Sequence, residues 1–98
     1  KGHESRRAQI LSMTDPELRE KIRREMLHIA AKRGPEKSLC PSEVARAAAE
    51  DWRPLMPLVR QIAAEELAEG RIRVTQKGKD VHPLEARGPI RLSATYNC

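Results

Sequence analysis

Ninety-eight residues make one small domain the expectation, because a chain this short cannot bury two separate cores. Phe is absent and Trp52 and Tyr96 are the only large rings, so the core must be aliphatic, and a stacking platform for single-stranded nucleic acid is disfavoured. The 19 Lys and Arg outnumber the 14 Asp and Glu to give +5, which favours a polyanionic partner; no apolar run is long enough to cross a membrane.

Residues 1–13 read as a flexible or helical extension without an apolar signal core. Cys40 and Cys98 form neither a Cys-x-x-Cys pair nor a disulfide framework, so the expected compartment is a reducing cytoplasm. The folded unit is expected over 14–93, with 94–98 as a tail.

Thr14-Asp15-Pro16-Glu17 is a helix start, with Thr14 or Asp15 as the cap and Pro16 suited to the first turn. Leu18, Ile22, Met26, Ile29 and Ala30 follow at helical spacing, and Lys32-Arg33-Gly34 ends this first helix. Its Glu17/Lys21 and Glu20/Arg24 pairs have the spacing of internal helix support.

Pro35 to Ser38 reads as loop, and Ser38-Leu39-Cys40 as a single bridge to a later strand. The second helix opens at Cys40 or Ser42, with Pro41 and Glu43 in its first turn and Val44, Ala45 and Ala48 as a small apolar face. Glu50-Asp51 breaks it. Pro54 and Pro57 predict an irregular or 3₁₀ start to the third helix, regular from about Leu58 and ended by Gly70. Leu55, Val59, Ile62, Ala63 and Leu67 form its buried stripe, with Trp52 as anchor.

Arg71 to Thr75 alternates as a half-buried strand, and Ile90 and Leu92 repeat the pattern, so the two should pair as a hairpin. Gln76 to Lys79 supplies a turn, and the stretch from Lys77 to Arg87 is expected to be a long basic loop. Arg71, Arg73 and Arg91 are expected on the open face of the hairpin. Charge is unevenly spread: residues 71–98 carry six Lys and Arg against two Asp and Glu, net +4, whereas 51–70 carry two against four, net −2.

The fold expected is mainly α with a small antiparallel β-hairpin: a winged helix-turn-helix, three helices plus a wing. Several strings carry a likeness: Arg33-Gly34, Cys40-Pro41-Ser42-Glu43-Val44-Ala45-Arg46, Trp52-Arg53, Leu55-Met56-Pro57 with Val59-Arg60, Gln76-Lys77-Gly78 and Gly88-Pro89-Ile90-Arg91. Over roughly residues 18–93 the chain resembles a bacterial family of small winged-helix-like proteins of unknown function. The resemblance implies the fold and carries no activity, ligand or partner.

The first functional expectation is binding of duplex DNA, as in a transcriptional regulator, with the third helix in the major groove. The face opposite its buried stripe holds Arg53, Pro57, Arg60, Gln61 and Ala64, and Arg and Gln can each meet a base edge at two points. Lys77, Lys79 and Arg87 in the wing are the expected phosphate contacts. Glu65, Glu66 and Glu69 crowd the far end of the same helix and would repel phosphate there. A plainer reading pairs Arg60 with Asp51 or a carboxylate one turn away and leaves the helix solvated. The alternative function is a protein-interaction module without DNA binding, which an exposed patch around Trp52, Leu55 and Met56 would favour. A lone reading helix usually needs a dimer or a second domain for useful affinity, so a homodimer, through the N-terminal segment or the first helix, is one expectation.

Catalysis is not expected, nor are a cofactor or a metal. Cys40 at a helix start is a candidate reactive thiol, yet a small residue packed in place explains it more simply. His28 lies among apolar residues and His82 precedes a proline, with no ligand set around either. There is no phosphate-binding glycine loop and no nucleophile elbow.

Overall fold

The computed structural model describes residues 16–95. The extension over 1–13, the Thr14 and Asp15 caps and the last three residues of the tail lie outside the described residues. Helix α1 spans Pro16–Arg33, with Glu17 near its positive end and Lys32 and Arg33 at its negative end. Ile22, Met26 and Ala30, four residues apart, form its buried stripe, with Leu18 and Ile29 partly buried beside them.

Leu39 bridges to Leu92 by two hydrogen bonds, 2.8 Å from its own N–H and 2.9 Å to its carbonyl, as the isolated apolar residue between loop and helix suggests. Helix α2, Pro41–Ala48, starts from Cys40, whose N–H donates to Glu43 Oε2 at 3.0 Å. Its buried face is Val44, Ala45 and Ala48, small enough to let neighbouring helices approach closely.

A 3₁₀ turn over Arg53–Leu55 leads into α3, Met56–Ala68. Pro54 and Pro57 have no N–H to donate, and both sit in first turns, where the amides lack intrahelical acceptors. Regular helix therefore begins two residues before the Leu58 expected. It ends at Gly70, whose φ of +80° turns the chain left-handed. Gly70 N–H donates to Leu67 O at 3.0 Å and Arg71 N–H to Glu66 O at 2.9 Å, the paired bonds of a Schellman ending.

The sheet has three antiparallel strands in the order β2-β1-β3: β1 Ile72–Gln76, β2 Lys79–Asp80 and β3 Arg91–Ala94. The expected hairpin is the β1-β3 pair, with Val74 opposite Leu92 and Ile72 opposite Ala94. The expected unbroken loop from Lys77 to Arg87 is corrected: Lys79 pairs with Gln76 and Asp80 with Thr75. Lys77 and Gly78 both have positive φ, +53° and +83°, the two-residue turn whose twist matches that of paired strands. The irregular part of the wing is thus 81–90. β3 runs one residue past the boundary drawn at 93, and Thr95 Oγ1 donates to Gly70 O at 2.7 Å.

Leu58, Val59, Ile62 and Ala63 of α3 close the core against α1, α2 and the inner face of the sheet, Ile72, Val74 and Leu92, with Ile90 just before β3. Three helices and a small antiparallel sheet make a mainly helical, winged-helix arrangement. Among the described residues no helix is long and apolar enough to cross a membrane.

Candidate nucleic-acid interface

The exposed side of α3 carries Pro57, Gln61, Glu65 and Ala68, with Arg60 and Ala64 half-buried on the flank. Gln61 is therefore outward, as the helical spacing predicts. Arg60 is turned aside. Its Nη1 donates to Pro83 O at 2.9 Å and Ala86 O at 3.0 Å, and its Nη2 to Gly88 O at 2.5 Å. The guanidinium expected to read a base, or else to pair with Asp51, spends its donors on three carbonyls of the wing. A charged fork with five N–H groups suits that task, and no local spacing announces it.

Gln76, at the end of β1, completes the cradle by donating to Arg87 O at 2.5 Å and Pro89 O at 3.0 Å. Carbonyls 86 and 88 thus go to α3 and 87 and 89 to β1, the alternation of an extended segment gripped from both sides. The Arg87 side chain is exposed while its backbone is held. Lys77, in the tight turn, and Lys79, just after it, are also exposed. Among the described residues none of these three makes an ion pair.

The carboxylates of α3 are neutralised from inside the protein. Glu65 pairs with Arg19 and with Arg23, the latter at 2.7 Å. Glu66, only 1% exposed, accepts from Arg23 Nε at 2.9 Å and Arg71 Nε at 2.5 Å, and Glu69 lies 3.9 Å from Arg71. The Arg71 hydrogen bond holds the Glu66 carboxyl below its ordinary pKa; burial opposes this and the Arg23 hydrogen bond adds to it. Arg19 and Arg23 of α1 thus reach across to α3, and within α1 Glu20 pairs with Arg23, three residues on, in place of the Glu20/Arg24 pair expected.

The outer arginines of the sheet disperse instead of forming one patch. Arg71 goes to Glu66, Arg73 lies 3.9 Å from Asp80, and Arg91 donates to Ser38 Oγ at 2.9 Å and to Cys40 Sγ at 3.3 Å. Nearby, Arg33 Nη2 meets Glu43 Oε1 at 2.5 Å. That bond lowers the Glu43 pKa against the opposing effect of burial, and the Cys40 N–H assists. Cys40 is half-buried at the start of α2.

Arg53 is exposed at the head of the 3₁₀ turn, its guanidinium carbon 4.8 Å from the centre of the Trp52 ring; Arg46, at the end of α2, lies 4.7 Å from the same ring. Trp52, Leu55 and Met56 are each half-buried and packed against the core. The large apolar side chain exposed among the described residues is Leu84, in the wing. Among the described residues no group of three His, Cys, Asp or Glu is placed to hold a metal ion.

Sequence reasoning missed Gln76 and the inward use of Arg60, because their acceptors are backbone carbonyls that leave no mark in residue type. It also passed over Arg46, although its place next to a helix break that carries the chain's one Trp was a readable signal. No curated protein matches the chain. A family model described as a protein of unknown function, DUF3253, matches residues 19–95, nearly all of the folded unit, and the chain belongs to that family.

Proposed function

We propose that this protein binds duplex DNA, with the N-terminal half of α3 facing the major groove and the wing on the flanking phosphates. One observation carries this reading. The acidic side chains of α3 are neutralised by Arg19, Arg23 and Arg71, while Lys77, Lys79 and Arg87 of the wing stand without a carboxylate partner. The segregation leaves positive charge outward where a polyanion can release its counterions, and removes the repulsion that the α3 glutamates would otherwise exert.

Gln61 is the outward base-reading candidate on α3, and Arg53 lies at the end of the helix that enters the groove first. Arg60 acts as a strut that fixes the wing relative to the helix, so that groove and backbone contacts form together. A cytoplasmic regulator acting as a homodimer is the biological setting this reading entails.

The test is fluorescence anisotropy of a labelled random duplex and a matched single strand at 50 and 200 mM salt, on the order of the range where phosphate contacts dominate. Duplex binding that weakens steeply with salt, and weakens further in Lys77→Ala/Lys79→Ala/Arg87→Ala, is expected. No binding at the lower salt would overturn the reading.

A further inference from the structure

Trp52 lies between α2 and the 3₁₀ turn with two guanidiniums over its ring, Arg46 at 4.7 Å and Arg53 at 4.8 Å from the centroid. Both arginines are exposed, and neither side chain forms an ion pair or a hydrogen bond among the described residues. A guanidinium stacked on an aromatic face keeps its five N–H groups at the rim while its orientation is fixed. Two like charges are thus held near one ring, neither within ion-pair distance of a carboxylate. Glu50 and Asp51 occupy the same turn and are exposed, yet neither is paired with either arginine.

Because both lie within 5 Å of one centroid, the two guanidiniums are less than about 10 Å apart. Successive phosphates of a strand advance by ~3.4 Å along the duplex axis, so two forks at that separation can meet phosphates of one strand. Trp52 also packs against the core, which ties the stack to the rigid body of the domain.

We infer that Arg46, Trp52 and Arg53 form a phosphate clamp at the α2–α3 turn, a second backbone contact that grips a DNA strand apart from the wing. The inference rests on the DNA-binding reading. It also reassigns Arg53, from a reader of bases to a holder of phosphate, and gives Trp52 the part of a positioning residue.

Trp52 is the only tryptophan, so its emission reports on the stack directly. The experiment titrates the full chain with a labelled duplex at several salt concentrations, reading label anisotropy and Trp52 emission together. The variants are Arg46→Gln/Arg53→Gln, Trp52→Leu, and a charge-matched control, Lys32→Gln/Lys37→Gln; far-ultraviolet circular dichroism checks that each is folded. In the parent protein, binding should change Trp52 emission, and added salt should reverse it. The double arginine variant should lose about 10- to 100-fold in affinity at low salt and about two units of salt slope, one for each phosphate contact. Trp52→Leu, which keeps the charge, should lose affinity with its slope nearly retained. If the arginine variant behaves like the lysine control while the parent binds duplex normally, the clamp is wrong and the DNA reading stands. If the parent shows no salt-sensitive duplex binding, both fall.

Discussion

Arg60 of α3 donates to the backbone carbonyl of Gly88 in the wing at 2.5 Å, which joins the helix that would read bases to the loop that would hold phosphates. With its bonds to Pro83 and Ala86, this one side chain satisfies three carbonyls of a segment that has no strand partner of its own. Hydrogen bonds from a charged donor contribute more than neutral ones, so Arg60→Ala should destabilise the fold by about 2 kcal/mol in urea unfolding. Hydrogen exchange should quicken at the Glu85 and Ala86 amides, which donate to His82 O, and stay slow at Ile62. Arg60→Lys should not restore protection, because an ammonium cannot reach three divergent acceptors as a planar fork does. Unchanged exchange across 83–89 in Arg60→Ala would refute the strut.

Lys77 separates stability from binding. It adopts φ of +53° in the β1-β2 turn, beside Gly78 at +83°, where Asn-Gly is the preferred pair. Lys77→Asn should therefore stabilise the protein by about 0.5 kcal/mol, seen as a higher Tm, because Asn takes the left-handed conformation at less cost. The same change removes a wing cation and should lower duplex affinity and the salt slope by about one unit. A rise in both stability and affinity would rule out a phosphate contact at Lys77.

Cys40 tests whether thiol chemistry has any part in function. It starts α2, a position where Ser is among the favoured residues and can accept from the first-turn amides. Cys40→Ser should leave duplex affinity unchanged and raise stability by a few tenths of a kcal/mol, up to about 1. Loss of binding without loss of fold would point instead to a thiol role.

The three helices, the Leu39 bridge and the β1-β3 pair were legible because each is written in local pattern: proline and caps at starts, Gly70 at an end, four-residue and two-residue apolar spacing in between. β2 was not, since Lys79-Asp80 has no apolar character and pairs only because the Lys77-Gly78 turn brings it back along β1. Outward positions on α3 were legible for Gln61 and illegible for Arg60, whose direction is set by carbonyls more than twenty residues away. The acidic end of α3 looked like an obstacle to DNA for the same reason. Its counterions, Arg19 and Arg23, lie on another helix, and no spacing rule within one helix connects Arg23 to Glu66.

Glu66 is the buried carboxylate on which α1, α3 and the start of β1 converge, and its titration should govern acid stability. Removing it by Glu66→Ala should cost about 2 to 4 kcal/mol, at the lower end because Arg23 and Arg71 both reach solvent and can rehydrate. Glu66 and Glu43 are both held below the ordinary glutamate value of 4.5, the first chiefly by Arg71 and the second chiefly by Arg33. A carboxyl whose folded pKa is depressed binds fewer protons than the unfolded chain between the two values, so its contribution is fully present above the unfolded pKa and is lost as pH falls through the folded one. Urea unfolding should thus give nearly constant contributions from these two groups between pH 7 and about 5, then a fall below about 4.5. Glu66→Gln retains a hydrogen-bonding side chain without the titrating group, and its stability should fall less steeply over the acid range than that of the parent. Identical slopes for parent and variant would show that Glu66 is not the group whose protonation loosens the contact between α1 and α3.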